Sequence, residues 1–123
     1  MFFNNPLIRQ GNISDFVKES KKIKHKNVKN GFLFVGAGWC GFCQRAKPEI
    51  EKLAKITGLS MPVISVDGAD IKNKNLLNLL EIEGFPTIFL IINNKLIKYE
   101  GNRVAEEILS SMCKKSDKTI CFL

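Results

Sequence analysis

Phe32-Leu33-Phe34-Val35-Gly36-Ala37-Gly38-Trp39-Cys40-Gly41-Phe42-Cys43 is the stretch that decides the fold of this chain. Its first four residues form a continuous apolar run of strand length. Such a run, where polar residues do not alternate, marks a strand buried on both faces. A helical pattern begins at Cys43 and continues to about Ile56, with Ala46, Ile50, Leu53 and Ala54 facing inward. Cys40 and Cys43 therefore sit at a strand-to-helix junction. A helix N-terminus presents unpaired N–H groups and partial positive charge. Both favour a thiolate, so Cys40 is expected to ionise below the free value of about 8.5. Cys43 lies one turn later on the same side of the helix. It can attack a mixed disulfide formed at Cys40 and release the product reduced. Gly41 is expected to relieve crowding between the thiols. Trp39 is expected to shield them and to offer a flat apolar contact.

Working outward, Val63-Ile64-Ser65-Val66 and Ile88-Phe89-Leu90-Ile91-Ile92 are two more apolar runs of strand type. A helical pattern over about 73–81 carries Leu76, Leu77, Leu79 and Leu80. Asn93-Asn94 tolerates left-handed backbone and reads as a tight turn into a strand at Leu96-Ile97-Lys98-Tyr99. A last helix is expected over about 104–112, with Ile108, Leu109 and Met112 apolar. Upstream, Leu7-Ile8 is a short apolar element. Ser14-Asp15 resembles a helix cap, and Phe16, Val17, Ser20 and Ile23 predict a helix over about 14–26. Lys18, Lys21, Lys22, Lys24 and Lys26 would form its wet face, with His25 exposed among them and uninvolved in chemistry. The order β-α-β-α-β-α-β-β-α predicts an α/β architecture: a mixed sheet with helices on both faces and an antiparallel hairpin at one edge. The domain is expected to span 1–112, its core about 12–112, with 113–123 as a tail.

The 123 residues suffice for one domain, and 45% of them are hydrophobic, which excludes a disordered or collagen-like chain. No apolar stretch reaches the roughly 18–20 residues of a membrane span, and no signal-like N-terminus is seen, so a cytoplasmic location without membrane contact is expected. The net charge is +7, carried by 16 Lys and only 3 Arg. Phosphate and base readout favour Arg forks, so a nucleic-acid partner is not expected. Of four cysteines, Cys113 and Cys121 stand eight apart, which does not supply the second pair a structural zinc site needs. No metal or other cofactor is expected beyond a redox-active Cys40–Cys43 disulfide. Cys113 and Cys121 read either as a secondary thiol pair in a mobile tail, or as a helix-buried Cys113 followed by an apolar end.

With these motifs in place, the chain resembles a thioredoxin-fold protein over about residues 12–112. The strand and C-x-x-C quoted above carry the resemblance, with Pro48 matching the proline inside the family's active-site helix. Gly84-Phe85-Pro86-Thr87 matches its cis-proline segment, and Gly101 the glycine after its last strand. The resemblance implies a cis Phe85–Pro86 peptide facing Cys40, with the Phe85 backbone pairing an extended substrate. It also implies a groove shaped by Trp39, Gly41, Phe42, Phe85, Pro86 and Gly101. Two positions depart from the family. Phe42 stands where thioredoxins carry Pro and protein disulfide isomerases carry His. Phe34 stands where both carry a buried acid that takes the second cysteine's proton. Tyr99-Glu100-Gly101-Asn102-Arg103 is similar to the isomerase segment whose arginine lowers the second cysteine's pKa, which makes Arg103 a candidate modulator. The implied activity is that of a monomeric thiol–disulfide oxidoreductase. It would act on protein disulfides or thiols and be recycled by a separate reductase or oxidase. Reduction is the first expectation, oxidation or isomerisation the second, and a non-catalytic binding module the third.

Overall fold

The computed structural model describes residues 2–116. Its central strand, β4 (Asn30–Gly36), pairs in parallel with β5 (Val63–Asp67) and antiparallel with β6 (Thr87–Ile92). β6 turns into β7 (Lys95–Tyr99) through Asn93 and Asn94, both at positive φ, 51° and 70°. β1 (Ile8–Gln10) adds in parallel to β5. With β2 (Phe16–Glu19) and β3 (Lys22–His25) the sheet has seven strands in the order β1-β5-β4-β6-β7-β3-β2.

Side chains alternate across a strand, so each buried strand feeds two cores. Phe32, Phe34, Val63, Ile88 and Leu90 face α1 (Gly41–Thr57) and α3 (Ala105–Lys115). Leu33, Val35, Ile64, Val66, Phe89 and Ile91 face the short α2 (Lys74–Leu79), which contributes Leu76 and is followed by Leu80. Burying each such side chain stabilises by about 1.5–3 kcal/mol before conformational entropy is subtracted. The layered α/β plan expected from the apolar runs is therefore present.

The helix expected over 14–26 is instead the β2–β3 hairpin. Ser20 and Lys21 sit at positive φ, 50° and 70°, forming the turn. Phe16 pairs with His25 across the hairpin and both are buried; Lys18, opposite Ile23, shares their face but is exposed, and Val17, Glu19, Lys22 and Lys24 take the other face. The operative period is two rather than 3.6, and lysines spread over both faces of the hairpin fit either pattern. The hairpin places Phe16 in the α2-side core, where a helix was expected to pack. Because β3 pairs with β7, the β6–β7 hairpin is not the sheet edge; β2 is.

His25 is correspondingly not exposed. Its Nδ1 accepts the N–H groups of Val28 (2.9 Å) and Asn27 (3.1 Å), and its ring meets Phe16 edge-to-face at 5.0 Å. Burial lowers its pKa against the attraction of Asp15, and Arg9 lowers it further.

The first residues, a mainly polar stretch broken by Pro6, hold two core aromatics. Phe2 stacks on Phe34 (5.6 Å) and Phe3 meets it edge-on (5.5 Å). At the other end α3 extends to Lys115, past the expected boundary at 112, so Cys113 lies inside the helix. Cys113 is half-buried and disulfide-bonded. Cys121 and the rest of the expected tail lie outside the described residues. Among the described residues no helix is long and apolar enough to cross a membrane.

Candidate active site

Cys40 is the N-cap of α1, with extended backbone (φ −89°, ψ 117°) that turns the chain from β4 into the helix. Its Sγ accepts the Cys43 N–H at 3.2 Å. A sulfur therefore occupies the position that a Ser or Asp oxygen takes in an ordinary cap. Cys40 keeps 7% of its surface exposed, whereas Cys43 has none. A substrate sulfur can reach the first and not the second.

The Phe85–Pro86 peptide is cis, and the Cys40 thiol donates to the Phe85 carbonyl at 3.7 Å. Gly68 admits the Phe85 ring, because a Cβ there would lie 2.3 Å from it. On its outer side Phe85 meets Trp39 edge-to-face at 5.6 Å. Trp39 itself is 73% exposed and holds its ring beside Phe85 at the surface. Gly41 opens α1; its chain neighbours and the helix backbone apart, a Cβ at that position would meet only the Arg45 guanidinium, at 3.9 Å. Phe85, Pro86, Thr87, Tyr99, Gly101 and Arg103 line a cleft of about 360 Å³, which Phe85 links to Cys40 through its carbonyl. Pro48 lies inside α1, which continues through it to Thr57.

The two thiols are electrostatically unequal. Burial raises the Cys40 pKa, but hydrogen bonds from the Cys43 thiol and from the N–H groups of Cys43 and Phe42, with the Arg103 charge, bring it below its ordinary value. Burial pushes Cys43 up to about 11, helped by its bond to Cys40 and by the Cys40 charge; the Ala37 backbone and Arg103 oppose this. No carboxylate contributes. The space where one was missing in the sequence is filled by Phe34, whose ring reaches the same point beside Gly36 as the Cys43 sulfur. A Cβ on Gly36 would lie 2.6 Å from that ring and 3.1 Å from Cys43 Sγ. Phe2 and Phe3 close the apolar plug from behind. The neighbouring position in β5 is Ser65, fully buried, whose hydroxyl has no hydrogen-bond partner among the described residues.

Arg45 and the Phe2–Phe3 pair were not recognisable as site residues from the motif alone. Arg45 stands three residues after Phe42, the spacing at which helical side chains meet.

The thioredoxin family profile matches residues 14–114. A protein disulfide-isomerase of Datisca glomerata is 37% identical over 123 residues, covering 93% of this chain and 24% of its own. The rice protein disulfide isomerase-like 5-2 is 36% identical over 86 residues, covering 68% of this chain and 20% of its own. The chain thus spans only about a fifth of the length of the curated relatives it matches. Among solved structures, the J-Trx1 fragment of ERdj5 superposes with a TM-score of 0.69 at 16% identity, over 89% of this chain and 50% of that one. Chloroplastic thioredoxin z superposes with a TM-score of 0.61 at 26% identity, over 72% of this chain and 79% of that one. A cis-proline beside an N-cap cysteine, a buried second cysteine and a profile match across most of the chain lead to one assignment: the chain belongs to the thioredoxin family.

Proposed function

We propose that this chain is a thiol–disulfide oxidoreductase acting on protein disulfides, with Cys40 as nucleophile and Cys43 as resolving thiol. The observation that carries the reading is the inequality of the pair: one sulfur reachable and stabilised as thiolate, the other buried behind it and held protonated. The Cys40 thiolate attacks one sulfur of a substrate disulfide. A Cys40–substrate disulfide forms, and the other substrate sulfur leaves as a thiolate that takes a proton from water. Cys43 then loses its proton and attacks Cys40 Sγ, closing the Cys40–Cys43 disulfide and expelling the second substrate thiol. Two electrons pass from the dithiol to the substrate, and an external dithiol restores the starting state. Trp39, Phe85 and Pro86 form the surface against which the substrate segment lies.

Reduction is the direction the site supports best. A strongly oxidising couple requires its reduced form to be strongly stabilised. Here burial opposes the hydrogen bonds and Arg103 at Cys40, so the stabilisation is partial. The names of the curated relatives support isomerisation or oxidation as the second reading. Equilibrating the Cys40/Cys43 couple in glutathione buffers separates them. A potential near about −270 mV supports the reductase, and one near about −180 mV the isomerase or oxidase.

A further inference from the structure

Phe42 occupies the dipeptide between the two cysteines and is 58% exposed, an unusual position for a large apolar ring. Two guanidinium groups converge on it. Arg45, from the next turn of α1, places Cζ 4.7 Å from the ring centroid. Arg103, from the loop between β7 and α3, places Cζ 5.8 Å from it. Neither arginine has a carboxylate partner within ion-pair distance among the described residues. An exposed arginine without such a partner samples many rotamers, and an aromatic face is a place where it docks. Two like charges on one ring repel each other, so their convergence indicates that the ring provides the attraction. The Arg103 charge acts on both sulfurs, and its distance from them depends on where the guanidinium rests.

We propose that Phe42 is a positioning residue, its ring docking Arg103 and Arg45 at the mouth of the dithiol and fixing how closely the Arg103 charge approaches the sulfurs. The residue that differs from Pro or His in this dipeptide thereby acts on the thiols through an arginine, although its own side chain donates no hydrogen bond. The proposal rests on Cys40 being the attacking thiol.

The test compares wild type, Phe42→Leu, Phe42→Trp, Arg103→Ala and the Phe42→Leu/Arg103→Ala double variant. Iodoacetamide alkylation of Cys40 is followed across pH, with thiolate absorbance as a second readout. Phe42→Leu is expected to slow alkylation at pH 7 about two- to fivefold, by moving the titration midpoint upward while the high-pH plateau rate stays unchanged. A ring acting only as a steric neighbour would change the plateau and not the midpoint. Arg103→Ala should shift the midpoint at least as far as Phe42→Leu, the double variant should add nothing to Arg103→Ala, and Phe42→Trp should restore the wild-type midpoint. An unmoved midpoint in Phe42→Leu, or full additivity in the double variant, overturns the proposal. If Cys40 of the wild type shows no lowered midpoint at all, the reading of the active site itself fails, which is a distinguishable result.

Discussion

Serine at Cys40 is expected to lower the reduction of an insulin-type disulfide by about 100-fold or more, whereas serine at Cys43 should capture substrates as stable mixed disulfides. At pH 7 a thiol held near 11, as Cys43 is, is ionised in about one molecule in 10,000. Cys40, held below its ordinary value by hydrogen bonds and the Arg103 charge, is ionised in a larger fraction. In Cys40→Ser the contributions of Cys40 to the raised Cys43 value are lost, but burial, the largest cause, remains; a more basic thiolate is the better nucleophile, which offsets part of the difference. Burial supplies the rest: no part of Cys43 is accessible, and a serine hydroxyl at position 40 can take over the N-cap of α1. Cys43→Ser keeps the accessible thiolate and removes only the intramolecular attacker. Turnover assays with non-reducing electrophoresis check both outcomes, and phenotypes exchanged between the two variants would reverse the assigned roles.

Aspartate at Phe34 should produce the second large effect, with opposite consequences for stability and for rate. Phe34 is 1% exposed and packs against Phe2 and Phe3. Truncating such a ring alone costs about 3–5 kcal/mol, and an unpaired buried carboxylate adds to that. The buried Asp would have its folded pKa raised above the unfolded value of about 3.9. Its cost is therefore small at low pH and grows as pH rises through the folded pKa, since the unfolded chain then binds fewer protons. Thermal melts should show a deficit against wild type that is larger at pH 8 than at pH 5. Phe34→Leu, which loses the ring without adding charge, should show no such pH trend. In the folded fraction the new carboxylate can take the Cys43 proton, and release of a preformed mixed disulfide should accelerate about tenfold or more. Unchanged stopped-flow release in a folded variant would mean that another group already serves as the base.

How much of this was legible in the sequence follows from how locally each feature is encoded. Phe32–Val35 and Ile88–Ile92 are apolar without interruption and Val63–Val66 is broken only by Ser65, and that pattern has few solutions other than a buried strand. Cys40 and Cys43 were placed by the strand before them and the helix after them. The hairpin at 16–25 was misread because its turn is Ser20-Lys21, which lacks the glycine or asparagine that usually announces left-handed backbone. His25 followed that error: in a helix it would point to water, whereas in β3 it pairs with Phe16 and caps its own turn. Phe2 and Phe3 could not be placed, since two adjacent aromatics at a chain end carry no periodicity. Their partner, Phe34, lies more than thirty residues away, and only the tertiary fold joins them. The contact of Arg103 with Phe42 has the same origin.

The central claim is that one thiol of the pair is poised to attack while the other is held in reserve. Its direct measurement is a site-resolved titration of the reduced protein, by pulsed alkylation at a series of pH values with mass mapping of each cysteine. The account predicts that Cys40 ionises below the ordinary value of a thiol and that Cys43 ionises only near 11. Cys43 titrating first, or both thiols titrating together at the value of a free cysteine, would contradict it.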